Sequence, residues 1–170
     1  MSDDNKFKML FLCTGNSARS VMAEYLANRV GEGKIQAYSA GADPKGEVHP
    51  MTLKILKDFH KIDASDARSK SWDEFKGIDL DFVITVCDNA KESCPIWPGQ
   101  PIVAHWGSPD PAAAEGDEEQ VFQIFKDISL QIRRRIELFA CLPFDKLDRF
   151  RLEEQTKSIG QNKDSEVTKS

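Results

Sequence analysis

Apolar positions along the chain follow two different periods. Phe7 to Leu12 is a short continuous run of buried-strand length. Beyond a Gly-bearing turn over 13–17, Met22, Leu26 and Val30 recur at helical spacing with Ala23 on the same face, which predicts a helix over 18–30 that Gly31 and Gly33 stop. Residues 35–39 read as a second strand. Pro50 opens a helix carrying Leu53, Ile55, Leu56 and Phe59, with proline in its first turn. Phe82 to Val86 is the strongest strand signal, with β-branched residues at every position but its aromatic first. A short last strand is predicted over 101–104. Between 117 and 142 one long helix is expected, its buried stripe made of Val121, Ile124, Phe125, Ile128, Ile132, Ile136 and Phe139.

Strands separated by helices of this length predict an α/β fold: a four-stranded parallel sheet with helices on both faces. One domain is expected over 1–144. Residues 145–170 form a polar C-terminal extension in which 145–154 can continue as helix and 155–170, poor in large apolar residues, read as a mobile tail. In parallel sheets, ligands bind on the loops beyond the carboxyl ends of the strands. Cys13 follows the first predicted strand, Cys87 the third, and Asp110 lies in the loop after the fourth.

Charge and composition narrow the setting. The 170 residues carry 23 Lys plus Arg against 28 Asp plus Glu, a net charge of -5 with mixed signs, so no basic footprint for nucleic acid is present. No apolar run reaches the roughly 20 residues that span a bilayer. Met1 to Lys6 is polar and acidic, unlike a signal peptide, so a soluble, cytoplasmic, monomeric protein is expected. Thiols in that compartment stay reduced and inert unless their surroundings activate them.

Cys13 has such surroundings. In Cys13-Thr14-Gly15-Asn16-Ser17-Ala18-Arg19-Ser20, a loop between strand and helix can aim backbone N–H groups inward and cradle a tetrahedral oxyanion. Arg19 offers a planar fork for two of its oxygens. The same positive potential favours a thiolate, so Cys13 is expected to have a lowered pKa and to act as a nucleophile, with Ser17 and Ser20 placed to hydrogen-bond the sulfur or the loop. Asp110, followed by Pro111, supplies a proton donor for the oxygen that leaves.

The stretch from Cys13 to Glu24 resembles the active-site loop of the low-molecular-weight protein tyrosine phosphatase superfamily. Tyr38-Ser39-Ala40-Gly41, and His105-Trp106-Gly107 followed by Asp110-Pro111, resemble further blocks of its arsenate reductase branch. The two branches share the cradle and differ in their electrons. Ester hydrolysis needs one thiolate and a water, whereas reduction of arsenate to arsenite needs two electrons, supplied when thiols become a disulfide. The resemblance to thioredoxin-coupled reductases implies that Cys87 and Cys94 perform that relay. Cys13 attacks arsenate, Cys87 attacks Cys13 as arsenite leaves, and a Cys87–Cys94 disulfide results. Thioredoxin is the implied reductant, with glutathione and glutaredoxin as the other candidate. The phosphatase alternative, a phosphotyrosine hydrolase working through a Cys13 phosphoenzyme, lacks its usual aromatics after Asp110-Pro111, where Ala112, Ala113 and Ala114 stand. The branch also implies a potassium ion near the loop, held partly at Asn16, Glu24 and Ser39. Lys70 falls near a further acidic ligand of that site, so neither a metal nor another cofactor is expected here.

Other residues read as structural. Cys141 is expected to be a small buried hydrophobe. His49, His60 and His105 have no metal-ligand spacing, and Trp72, Trp97 and Trp106 read as packing residues. Arg133 to Arg135 are expected on a solvated helix face.

Overall fold

The computed structural model describes residues 6–161. Its four strands are β1 (Phe7–Cys13), β2 (Ile35–Gly41), β3 (Phe82–Thr85) and β4 (Ile102–His105). All three pairings are parallel and the order is β2-β1-β3-β4. Met9 to Cys13 and all of β3 are buried at consecutive positions, so both faces of the two central strands are covered. Because β1 has β2 on one side and β3 on the other, the carboxyl ends of β1 and β3 flank the point where the strand order reverses, the place where such sheets open a crevice.

The helices are α1 (Arg19–Val30), α2 (Pro50–Lys54), α3 (Asp88–Ser93), α4 (Glu118–Ala140) and α5 (Arg149–Gln161). α2 continues through Ile55–Phe59 as a wider π-type turn closed by the His60 N–H on Ile55 O at 3.2 Å. α4 begins at a capping box in which the Asp117 carboxylate accepts from the Gln120 N–H at 2.8 Å and the Gln120 side chain accepts from the Asp117 N–H at 2.9 Å. Phe125, Ile128, Ile132, Ile136 and Phe139 form its buried stripe, while Ile124 lies on the exposed side.

Three expectations are corrected by the packing. Arg135 is buried, not solvated. It lies three residues past Ile132 and four before Phe139, on the buried stripe, and its guanidinium donates to Gly107 O at 2.7 Å. Cys141 is exposed, because two residues beyond Phe139 a helix has turned by about 200°. Residues 155–161 are not a loose tail but the second half of α5, which packs on β4. Thr156 and Ile159 are buried, the Trp106 indole N–H donates to Thr156 O at 2.9 Å, and Gly160 lies so close to the His105 carbonyl that a Cβ has no room. The remainder of the expected tail, 162–170, lies outside the described residues.

Candidate active site

The loop from Cys13 to Ala18 is shaped by where its carbonyls are held. Cys13 O accepts from the Ala42 N–H at 3.1 Å, Thr14 O from Asp43 at 2.9 Å, Gly15 O from Lys45 at 3.0 Å and Ser17 O from His49 at 3.0 Å. The Ser69 and Thr52 hydroxyls add bonds to Gly15 O and Ser17 O, both at 2.9 Å. In a trans peptide plane the N–H opposes the C=O. Four carbonyls pulled outward therefore turn the N–H groups of Thr14, Gly15, Asn16 and Ala18 toward the other side, where the cavity lies. Asn16 adopts the left-handed conformation at φ 47° to complete the bend. Gly41, at the end of β2, is the residue that lets the loop pass: a Cβ there would stand 2.5 Å from Thr14 O. No side chain caps α1, so its first-turn amides open on the same space.

That space is a cavity of about 350 Å³, open to solvent and lined by Cys13 to Arg19 together with Asp43, Lys45, Cys87, Asn89 and Asp110. Among the sequence-predicted residues, Cys13, Arg19, Asp110 and Cys87 meet there, with loop residues Thr14, Gly15, Asn16, Ser17 and Ala18. Cys94 does not. Arg19 donates one guanidinium N–H to Ser108 O at 2.9 Å, and a second nitrogen lies 3.8 Å from Asp110 Oδ1. The Asp110 side chain is 47% exposed, so it can exchange protons with solvent.

Cys13 Sγ is buried. It meets the Ser20 hydroxyl at 2.8 Å and accepts from the Asn16 N–H at 3.2 Å. Ser20, at the first turn of α1, is thus the serine that reaches the sulfur, while Ser17 enters through its carbonyl. The expected lowering of the Cys13 pKa is not the net result. Burial pushes the thiol up from the ordinary value, and the Ser20 hydroxyl, the Asn16 and Ser20 amides and Arg19 pull it part of the way back.

Cys87 stands at the N-cap of α3, where its sulfur accepts from the Ala90 N–H at 3.4 Å. Thr14 Oγ1 lies 3.4 Å from the same sulfur and accepts from Asn89 Nδ2 at 2.9 Å. Cys94 occupies the opposite cap of α3, half-buried, with its thiol pushed up by burial against the opposing pull of Trp97. Among the described side chains of α3 only Ala90 is buried, and a six-residue helix with so little packing has little to hold it. His105 ties its first residue to β4, with Nε2 at 3.1 Å from Asp88 Oδ1 and Nδ1 at 2.8 Å from Thr85 Oγ1.

Beneath the loop, Lys70 Nζ lies 3.3 Å from Ser39 Oγ, 3.5 Å from Glu24 Oε1 and 3.1 Å from Arg68 O. These residues do not fit a bound cation, because an ammonium already stands among the oxygens. The sequence reading missed Asp43, Lys45 and Asn89 at the cavity wall. Asn89 had a signal in its place two residues after Cys87, whereas Asp43 and Lys45 lie in a loop with no pattern of its own.

Known proteins resemble this chain in sequence and in fold. The family model for low molecular weight phosphotyrosine protein phosphatase matches residues 8–150. An arsenate reductase of Halalkalibacterium halodurans is 38% identical over 136 residues, covering 80% of this chain and 96% of the relative. Among solved structures, an arsenate reductase in the phosphate binding state aligns with a TM-score of 0.64 and 30% identity, covering 79% of this chain and 96% of that one. A thioredoxin-dependent arsenate reductase of Corynebacterium glutamicum aligns with a TM-score of 0.57 and 27% identity, covering 78% and 61% respectively. The chain belongs to the low molecular weight phosphotyrosine protein phosphatase family.

Proposed function

We propose that this chain reduces arsenate to arsenite, with Cys13 as nucleophile and Cys87 and Cys94 as the relay that stores the two oxidising equivalents. The observation that carries the reading is the second thiol: Cys87 lines the same cavity as Cys13, beside a loop whose amides and Arg19 suit a tetrahedral oxyanion. Phosphate ester hydrolysis has no use for that second sulfur. The phosphatase reading is further weakened by the cavity wall, which carries no aromatic ring among its lining residues.

Arsenate enters the cradle, and the Cys13 thiol proton passes to the arriving dianion, whose charge the amides and Arg19 hold. The sulfur attacks arsenic, and an arsenate oxygen leaves as water with a proton from Asp110. Cys87 then attacks the Cys13 sulfur, its thiol proton passing to an oxygen of the departing arsenite. A sulfur–sulfur bond forms, the sulfur–arsenic pair of electrons moves to arsenic, and arsenite departs. Finally Cys94 attacks Cys87, its proton passing to the Cys13 sulfur as that sulfur leaves, and the Cys87–Cys94 disulfide remains for a dithiol reductant to open. We assign that role to thioredoxin, which places the enzyme in the cytoplasm. The thioredoxin-dependent relative from Corynebacterium glutamicum supports the assignment.

The test is to incubate the fully reduced protein with arsenate alone, assay arsenite and map disulfides by mass spectrometry. One arsenite per chain with a Cys87–Cys94 bridge is expected. Absence of both, with thioredoxin and with glutathione plus glutaredoxin, would overturn the proposal. Arsenite formed only with glutathione and glutaredoxin would keep the reductase and replace its partner.

A further inference from the structure

Two charged side chains that the Cys13 loop does not itself supply reach its cavity from the segment after β2. Asp43 and Lys45 are tethered there by their backbone N–H groups, which donate to Thr14 O at 2.9 Å and to Gly15 O at 3.0 Å. The Lys45 stem then lies across the cradle. A Cβ on Gly15 would stand 3.2 Å from Lys45 Cγ and Cε and 3.4 Å from Cδ, so glycine at that position gives the stem its room. Lys45 is exposed, and its ammonium forms no ion pair among the described residues.

The charges on the wall decide what the cavity admits. Among the described residues its lining holds two cations, Arg19 and Lys45, and two carboxyl groups, Asp43 and Asp110. Arg19 has Asp110 Oδ1 at 3.8 Å and gives an N–H to Ser108 O, so part of its field is offset before any ligand arrives. Without Lys45 the wall would have no surplus of positive charge, whether or not Asp110 carries its proton, and a dianion would meet a neutral or repelling mouth. We propose that Lys45 is the residue that lets this cavity take a doubly charged tetrahedral oxyanion, with Asp43 opposing it. The inference deepens the reductase reading by naming a further substrate-binding residue, and it rests only on that reading's oxyanion cradle. A dianion gains about twice what a monoanion gains from the same ammonium, so the two side chains tune the cavity by charge.

The experiment titrates the full, reduced chain with inorganic phosphate by calorimetry at about pH 8, in about 20 mM and about 200 mM salt. Lys45→Met keeps an apolar stem over Gly15 and removes the charge. It should bind phosphate about tenfold more weakly in the low salt and about threefold more weakly in the high. Lys45→Arg should stay within about twofold of wild type. Asp43→Asn should tighten binding about threefold in low salt, and it decides the matter should Lys45→Met fail to fold. An affinity unmoved by Lys45→Met in a folded protein would overturn the proposal. So would a loss that salt does not diminish, which marks lost packing of the stem and not lost charge, and so would Asp43→Asn without tighter binding. A wild type that binds no phosphate would take the oxyanion out of the cavity, and Lys45's role with it. Phosphate binding needs no relay thiol, so a wild type that binds phosphate and forms no arsenite would remove the reductase and leave the role of Lys45 standing.

Discussion

Glu92 stands exposed within α3, and exchanging it for glycine or alanine tests whether that helix must unwind for the relay to close. Cys87 and Cys94 cap opposite ends of α3. Seven residues of helix rise about 10 Å, whereas a disulfide brings its two Cα atoms to about 4.4–6.8 Å. The oxidised pair is therefore incompatible with an intact α3, and the free energy of the helix opposes the disulfide. Glycine is less favourable than alanine in a helix interior by about 1 kcal/mol, a factor of about five in the unwinding equilibrium. For a two-electron couple that factor makes the glycine variant's potential about 20 mV more negative than the alanine variant's. The measurement is an equilibrium titration against dithiothreitol buffers in a Cys13→Ser, Cys141→Ser background, which leaves the one couple to read. Coincident midpoints would refute the reasoning, and with it the claim that α3 opens when Cys94 reaches Cys87.

Four further outcomes follow from particular contacts. Cys94→Ser should release one arsenite per chain and then stop, whereas Cys13→Ser should release none; equal multiple turnover of wild type and Cys94→Ser with thioredoxin would remove Cys94 from the relay. Ile159→Ala should cost about 2 kcal/mol in urea unfolding, because Ile159 is buried where α5 meets the body of the fold. The His60 ring, pushed down to about 4 by burial and by Arg133, is held neutral in the folded state, so the unfolded chain binds the extra proton at acid pH. Its contribution is full above pH 6.5 and lost as the pH falls toward 4, and in His60→Gln the difference between urea midpoints at pH 7.5 and pH 5 should shrink. Potassium and sodium chloride at matched ionic strength should give equal turnover, since Lys70 Nζ stands where a cation would need the oxygens of Glu24 and Ser39.

The strands and the position of the chemistry were legible because they rest on local pattern. β1 and β3 are continuous apolar runs, and the reactive residues follow the strands at the edge where parallel sheets bind ligands. What escaped was set by tertiary geometry. α5 docks through Thr156 and Gly160, small residues that allow backbone to approach closely and carry no hydrophobic signature. Arg135 sat at core spacing all along, and its guanidinium is tolerable there because it is paired, Gly107 O among its partners. The Cys13 loop showed its anion-binding character in sequence, yet the depth at which the sulfur is buried depends on β2, the 42–52 segment and Ser69 closing around the loop. No local pattern reports that depth, and it reverses the expected direction of the thiol's pKa.

The place of Cys87 at the head of α3 bears on the timing of catalysis. Its sulfur is the acceptor that caps the helix, through the Ala90 N–H. In the proposed relay, once that sulfur is spent on Cys13 it is drawn away from its capping role, and losing a helix cap costs on the order of 1 kcal/mol. The restraint on Cys94 thus slackens as a result of the step that must precede its attack. At rest the helix holds Cys87 and Cys94 at its opposite ends, which under the proposed relay guards against idle oxidation. Under that proposal the reaction itself supplies the release, and the order of events lies in one short helix whose cap is also its reagent.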